Sequence, residues 1–591
     1  MDEILFLDGA FGTMAQSAGL LPGEDPFEWN EKNPKGVESI HKSYVASGAD
    51  IVLANTFGAN PLKYRGRTNL ADMVKSAVES ARLSGAKRVA LDIGPTGRLL
   101  KPAGDLSFKE AYENFSAVVV SGVNAGADLA FVETISDARE LKAAVLAVKE
   151  NSNLPLYVTV SLDESGKLLT GAGVECVSAL LESLDVDAYG FNCGLGPDKM
   201  EAFIRKLRAV STKRIIAKPN AGMPKIKNGR TVYSQSPEEF AKLVLRLVDA
   251  GASIVGGCCG TTPEHIRAIR KLLAGKSVEN LRPEKCECVI SSGTSVVTLK
   301  PYSALVIGER INPTGKKALK EAYKRGDISY VLREAVKQVD DGAQVLDVNC
   351  GVPGIDESST LENVVEYVQS VVSCPMQIDT ANAEALGKAL FIVNGKPLVN
   401  SVNGKQESMD SVFPLVKRYG GTIVALCLDE NGIPPTSQGR VDIARRILEE
   451  GAKYGFEKKD FVFDALTLAV SADPMAAMVT IETVKRLTQE FCVNTVLGVS
   501  NVSFGLPNRP RLNNAMYALA KRAGLSAAIA NPSLIKEEVD DLALDVLLGR
   551  DEGCRAWIKA CCESEESSQK LSPVSSTDAP KSENLIRAIE K

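Results

Sequence analysis

Cys258 and Cys259 are adjacent in the string IVGGCCGTTPEH, and Cys193 closes a second apolar run, AYGFNCGLG. Three thiolates at the ends of two strands make three-quarters of a tetrahedral zinc site, and an open fourth position suits a catalytic metal. The chain has only two histidines, His41 and His265, so a soft metal bound here is held by sulfur. A bare cysteine pair is weak evidence, because free cysteine often only packs and Cys561-Cys562 forms such a pair in a polar stretch. The flanks differ. Gly256, Gly257 and Gly260 surround one pair, and Gly194 and Gly196 follow Cys193, where backbone must turn or approach something closely. Zinc held by three thiolates activates water poorly. It is suited to bind a substrate thiol and lower its pKa from about 8.5 to below neutral. The implied chemistry is thiol alkylation.

Short β-branched runs alternate with amphipathic segments through the first half of the chain: 4–9, 51–57, 88–94, 129–135, 156–162, 188–193, 214–220 and 253–260 read as strands. Segments 107–126 and 236–251 read as helices, each opened by a serine cap with acids in the first turn. Eight such units fit a closed (β/α)8 barrel, whose active site lies at the C-terminal strand ends. Those ends carry Asp8, Asn55, Asp92, Glu133, Ser161, Cys193, Asn220 and Cys258/Cys259. Cys193, Asn220 and the cysteine pair end strands six, seven and eight, so the three sulfurs come from neighbouring staves. Asn220 either lends its amide oxygen as a weak fourth ligand or is an ordinary turn residue. The opening DGAFGT offers the N–H groups of Gly9 and Ala10 and the Thr13 hydroxyl to an amino acid's carboxylate, with Glu133 facing its ammonium. Each of these residues singly also fits a plain glycine turn.

The second half repeats the pattern, with strands over 304–310, 344–351, 376–380, 398–404, 422–429, 461–467, 495–501 and 526–532. Its strand ends carry Glu309 and Asn312, Asp347 with Asn349, then Asp379, Asn400, Asp464, Asn501 and Asn531. Converging carboxylates and amides make paired contacts to a planar ring with amide-like and amidine edges. For any single Asp, capping the next helix is an equal reading. Without histidine, the set implies binding and gentle proton donation, not hydrolysis. The fold class is therefore α/β, two consecutive (β/α)8 barrels. Residues 1–275 form the first, 276–303 a linker without helix period, 304–560 the second, and 563–591 a polar, disordered tail. CEC in the linker (Cys286, Cys288) reads as a stray pair.

Net charge of −5 gives no basic footprint for nucleic acid or anionic membrane. The N-terminus MDEILFLDGAFGT shows neither a charged leader nor a cleavable apolar run, and no stretch reaches the roughly 18 apolar residues of a membrane span. Thirteen scattered cysteines then read as reduced cytoplasmic thiols.

Together, LDGAFGT, ANTF, ETISD, FNCGLGP, PNAG and GGCCGTTPEH, followed by IGERINPTGKK, VLDVN, IDT, VNSV, FVFD and GVSNVSFGLPNR, resemble the cobalamin-dependent methionine synthase family over about residues 4–550. The likeness is to its N-terminal homocysteine-binding and folate-binding modules. It implies that Cys193, Cys258 and Cys259 hold zinc and activate homocysteine, with Asp8, Gly9, Thr13 and Glu133 gripping its amino-acid end. It further implies that Asn312, Asp347, Asp379, Asn400, Asp464 and Asn501 hold the pterin of 5-methyltetrahydrofolate. Asn501 and Asp464 are the catalytic pair, Asn501 lying near N5, which must gain a proton before methyl transfer. Glu309 joins the folate set, and Arg509 faces the folate's flexible tail. The family's corrinoid motif, D-x-H-x-x-G, does not occur in this sequence. The implied methylcobalamin is then bound by a module not in this chain, in cis or in trans, and the terminal NLIRAIEK resembles the start of the helical cap before such a module. The alternative is a homocysteine methyltransferase taking its methyl group directly from a sulfonium or betaine donor, with an accessory pterin-binding barrel.

Overall fold

The computed structural model describes residues 2–21, 23–64, 69–227, 230–279 and 287–570. Every expected strand run contains a strand. In the first barrel these are Leu5–Phe6, Ile51–Leu53, Arg88–Ile93, Leu129–Ile135, Leu156–Val160, Ala188–Asn192, Arg214–Lys218 and Ala252–Val255, all parallel to their neighbours. The seam between the first two is narrow. It is closed by a parallel bridge between Leu7 and Ile51 and by the Asp50 N–H bond to the Phe6 carbonyl. The second barrel closes fully, Leu305–Ile311 bonding to both Val345–Val348 and Ala527–Ala530, with Met376–Asp379, Leu398–Asn403, Thr422–Leu426, Phe461–Asp464 and Asn494–Gly498 between them. The two expected helices form as Phe108–Asn124 and Pro237–Asp249, each opened by a capping box, Ser107 with Glu110 and Ser236 with Glu239.

A period of two along each strand sorts floor from mouth. In the first barrel Ala90, Leu129, Phe131, Ala188 and Ile216 fill the interior. Continuing the same parity toward the strand ends brings Asp92, Glu133, Asn192 and Lys218 inward at the mouth. In the second barrel Val345, Leu398 and Val462 fill the floor, and the same step leads to Asp347, Asn400 and Asp464.

The segment 276–303 is more structured than its sequence suggests. Ser277–Val278 pairs antiparallel with Asp2–Glu3, and Cys288–Ser291 forms a hairpin with Val296–Leu299. Cys288, Ile290 and Leu299 pack with Leu305, Ile307 and Val462, so the hairpin plugs the bottom of the second barrel. Cys286 lies outside the described residues. The polar tail expected from residue 563 begins inside a helix, Arg555–Lys570, and NLIRAIEK lies outside the described residues.

The barrels share one apolar core through their helical layers. Helix Ala138–Asn151 of the first barrel is buried over most of its length, polar residues included, because the second barrel covers its outer face. Arg139 makes a bidentate pair with Glu366, at 2.6 and 3.1 Å. The Lys142 ammonium donates to the carbonyls of Leu390 and Val393 (2.7 and 2.8 Å) at the end of helix Ala383–Ile392. Burial pushes that ammonium down to about 7, and Arg139 beside it adds to the shift. Phe391 inserts edge-on against Phe108 and Tyr112, with ring centroids 4.9 and 5.2 Å away. Among the described residues no helix is long and apolar enough to cross a membrane, and no disulfide joins the described cysteines.

Candidate active sites at the two barrel mouths

Cys193 follows the sixth strand in the left-handed region at φ 54°, and Gly194 after it stays there at φ 62°. A side chain at Gly194 would come within 2.5 Å of the Leu162 carbonyl, so glycine is required for this turn. Gly257 is equally constrained: a Cβ there would lie 2.4 Å from the Thr261 hydroxyl. Backbone bonds from Cys193 N–H to Lys218 O, from Cys258 N–H to Pro219 O and from Ala221 N–H to Cys259 O fix the three cysteines across strands six to eight. Their sulfurs lie within 4.8 Å of one another, Cys193 and Cys259 at 3.9 Å. Tetrahedral zinc with bonds of about 2.3 Å needs sulfurs roughly 3.8 Å apart, so the donor set fits that ion.

The electrostatics agree with the geometry. Hydrogen bonds from Cys258 and Cys259 favour the Cys193 thiolate. Those same bonds, with burial, push Cys258 far up and Cys259 up to about 11. Three thiolates coexist here only with a cation among them.

The sulfurs open into a cavity of about 550 Å3 that also holds Asp8, Thr13, Asp92, Glu133 and Lys218. Asp8 accepts from Leu53 N–H (2.9 Å) through one oxygen, and its other oxygen is buried without a partner. The Thr13 hydroxyl, one Asp92 oxygen and the Asn220 amide oxygen are likewise buried and unpartnered. Burial raises Asp8 to about 7, and burial together with the Glu133 charge raises Asp92 well above the carboxylate range. Asn220 stands beside Cys193 with that oxygen free, which suits either role open to it. Two expected contacts meet competitors. The Ala10 N–H is already given to the Thr261 hydroxyl at 3.1 Å, which removes it from the set of donors available to a carboxylate. Glu133 is bonded to Lys218 at 2.6 Å, both side chains buried. Burial opposes the Lys218 ammonium, but Glu133, Asp8 and Cys258 around it outweigh that and keep it charged. Lys218, Asp92 and Asn192 were not among the residues read from the sequence as binding groups, although strand parity points all three inward.

In the second barrel, Asn312 donates from one amide nitrogen to both Asp347 and Asp379, each at 3.0 Å. Asn349 also donates to Asp379 (3.0 Å), and Gln377, buried one parity step below Asp379, donates to Asp347 at 2.7 Å. Strands one to three thus build one hydrogen-bonded patch. Burial raises both carboxyls; the Asp347 charge adds to the effect at Asp379, which reaches about 7. Asn400 sits beside Asp379 in register on the fourth strand. Asp464 and Asn501 stand on the opposite wall, at strand six and just after strand seven. Asp464 accepts from Leu466 N–H at 2.8 Å, and burial lifts it to about 6. Exposed Asn501 turns back over Gly498, where a Cβ would come 3.0 Å from its amide nitrogen. Glu309 and Arg509 line a separate cavity of about 230 Å3. Arg509 is engaged locally, donating to the Ser503 hydroxyl and the Ser500 carbonyl.

Residues 5–273 match the family model of homocysteine S-methyltransferase, and residues 308–531 that of pterin binding enzyme. Methionine synthase of Mycobacterium tuberculosis is 31% identical over 93% of this chain and 49% of its own length. That of Mycobacterium leprae is 30% identical over the same shares. The chain thus spans about half the length of the curated relatives it matches. A crystal structure of the homocysteine methyltransferase MmuM from Escherichia coli, in an oxidised form, is 24% identical. It covers 46% of this chain and 96% of its own, with a TM-score of 0.41. The chain is built of a homocysteine S-methyltransferase family domain followed by a pterin-binding family domain.

Proposed function

We propose that this chain carries the two sites of a cytoplasmic methyltransferase that moves a methyl group from 5-methyltetrahydrofolate, through a corrinoid, to homocysteine, giving methionine and tetrahydrofolate. The observation that carries the reading is the convergence of Cys193, Cys258 and Cys259 at one barrel mouth. Zinc bound there supplies one thing, a lowered pKa that keeps the substrate thiol a nucleophilic thiolate at neutral pH. Asp8 and Thr13, with their unpartnered oxygens, orient the amino-acid end, and the Gly9 N–H is offered to its carboxylate.

In the second barrel, Asp347 and Asp379 accept N–H groups of the pterin edge. Asn312, Asn349 and Asn400 supply amide donors and acceptors beside them. Asp464 and Asn501 hold a proton near N5. Without that proton the departing nitrogen is too basic a leaving group. The corrinoid belongs to a module outside this sequence, in cis or in trans, which must visit both mouths.

The test supplies free corrinoid to the purified, zinc-loaded chain and follows each half-reaction. Homocysteine should demethylate methylcobalamin, and methyltetrahydrofolate should methylate cob(I)alamin. Absence of either half overturns the reading, and methionine formed from a sulfonium or betaine donor without corrinoid would replace it.

A further inference from the structure

Arg440 lies in the first turn of helix Ser437–Lys453, 1% exposed, and its guanidinium is bonded to neutral groups. Its Nε donates to the Pro434 carbonyl (3.1 Å) in the loop after strand five of the second barrel. One terminal nitrogen reaches the Ala465 and Leu466 carbonyls (2.7 and 2.9 Å) after strand six, and the Thr480 hydroxyl at 3.2 Å. Taking a guanidinium out of water carries a cost that packing alone does not offset.

What the bonds secure is the turn that follows Asp464. Leu466 sits in the left-handed region at φ 63°, which a bulky side chain adopts only when its surroundings impose it. Its carbonyl is held by Arg440 and by the Thr480 hydroxyl at 3.0 Å, and its N–H donates to the Asp464 carboxyl at 2.8 Å. The charged and titratable groups facing Asp464 are Arg440 and the buried Cys427 thiol, and Asp473 is a further acid near Arg440. Burial lifts Asp464 to about 6, and the Leu466 N–H and the Arg440 charge both oppose that rise.

Resting on the folate reading of the second barrel, we propose that Arg440 is a positioning residue for methyl transfer, fixing the turn at Ala465 and Leu466 so that Asp464 is aimed at the reacting end of the pterin. Arg440 touches neither substrate nor reacting atoms; it acts through Asp464. Folate affinity rests instead on Asp347 and Asp379 across the mouth, so the arginine governs rate and not binding.

The test measures cob(I)alamin methylation by 5-methyltetrahydrofolate against pH. Folate affinity and homocysteine-dependent demethylation of methylcobalamin are followed in the same full-chain preparations. Arg440→Met should slow methylation about 100-fold and raise the midpoint of its pH profile by about one unit, because the cation beside the carboxyl is gone. Folate affinity should stay within about 3-fold, and the homocysteine half-reaction, which reports that the chain is folded, should not change. Arg440→Lys keeps the charge without the fork, and should lose about 10-fold in rate with the midpoint unmoved. In an Asp464→Asn background both substitutions should cost no more than about 3-fold, since the group they act through is already altered.

Losses of the same size with and without Asp464→Asn overturn the proposal. So does a fall in folate affinity parallel to the fall in rate, or a midpoint that Arg440→Met leaves in place. If Arg440→Met does not fold, Arg440→Lys decides alone, by its loss in the wild-type and Asp464→Asn backgrounds. Wild type that binds folate but does not methylate cob(I)alamin refutes the proposed function itself, and this assignment with it.

Discussion

Cys258→Ala is expected to empty the metal site and to slow homocysteine-dependent demethylation of methylcobalamin by at least about 1,000-fold, some 4 kcal/mol of barrier. Apparent zinc affinities of roughly 10–16 kcal/mol shared among four ligands give about 3 kcal/mol per ligand, on the order of 100-fold in binding. Cys258 follows the strand that abuts the first, Ala252–Val255, its N–H held by the Pro219 carbonyl and the neighbouring Gly257 N–H by the Asp8 carbonyl. No nearby histidine can substitute, because His41 and His265 lie in the helices Pro34–Ala46 and Pro263–Leu272. Elemental analysis after dialysis against a competing chelator, at a strength that leaves the wild type loaded, should find the variant largely stripped of metal, as a site weakened about 100-fold requires. Cys561→Ala provides the contrast. Its sulfur belongs to helix Arg555–Lys570, far in sequence from Cys193, Cys258 and Cys259, and the metal content should not change.

The second large effect is on the other barrel. Asp347→Ala should weaken 5-methyltetrahydrofolate binding by about 100-fold or more, the loss of two charge-assisted hydrogen bonds. Asp347 is the centre of the patch. It accepts from Asn312 and from Gln377, and it lies 1% exposed at the end of the second strand. Alanine leaves the Gln377 amide without its acceptor, takes from Asn312 one of its two acceptors, and removes the acceptor facing the pterin edge. Asp347→Asn keeps the volume and loses the charge, and should cost about 10-fold. Fluorescence or calorimetric titration measures both. Demethylation of methylcobalamin by homocysteine in the same preparations should be unchanged, since Asp347 touches no residue of the first barrel's mouth. A parallel loss there would mean that the substitution had damaged the fold.

Much of this arrangement was legible in the sequence because it depends on local periodicity. Strand runs bounded by glycine and proline, alternating with capped helices, specify a parallel barrel, and in such a barrel polar strand ends are the site. The thiol triad was readable for the same reason: counting strands places residues 65 positions apart at the ends of strands six and eight, with only strand seven between them. What escaped depends on contacts between distant segments. Arg139 and Lys142 look like solvent-facing helix residues until a second barrel covers them. The hairpin Cys288–Ser291 with Val296–Leu299 is too short for a periodic signal, and only the apolar floor above it gives it a role. The Ala10 N–H is consumed by a threonine 251 residues away. Lys218 was within reach, since a lysine two positions beyond buried Ile216 on a barrel strand must point inward and must find an anion.

The most direct test of the central claim is to measure metal content and homocysteine-dependent demethylation on one wild-type preparation, before and after removal of metal by a chelator. The account predicts about one zinc ion per chain, loss of demethylation with the metal, and recovery of both when zinc is returned. A folded, metal-free chain that still demethylates methylcobalamin at the original rate would contradict it, and would reduce Cys193, Cys258 and Cys259 to packing.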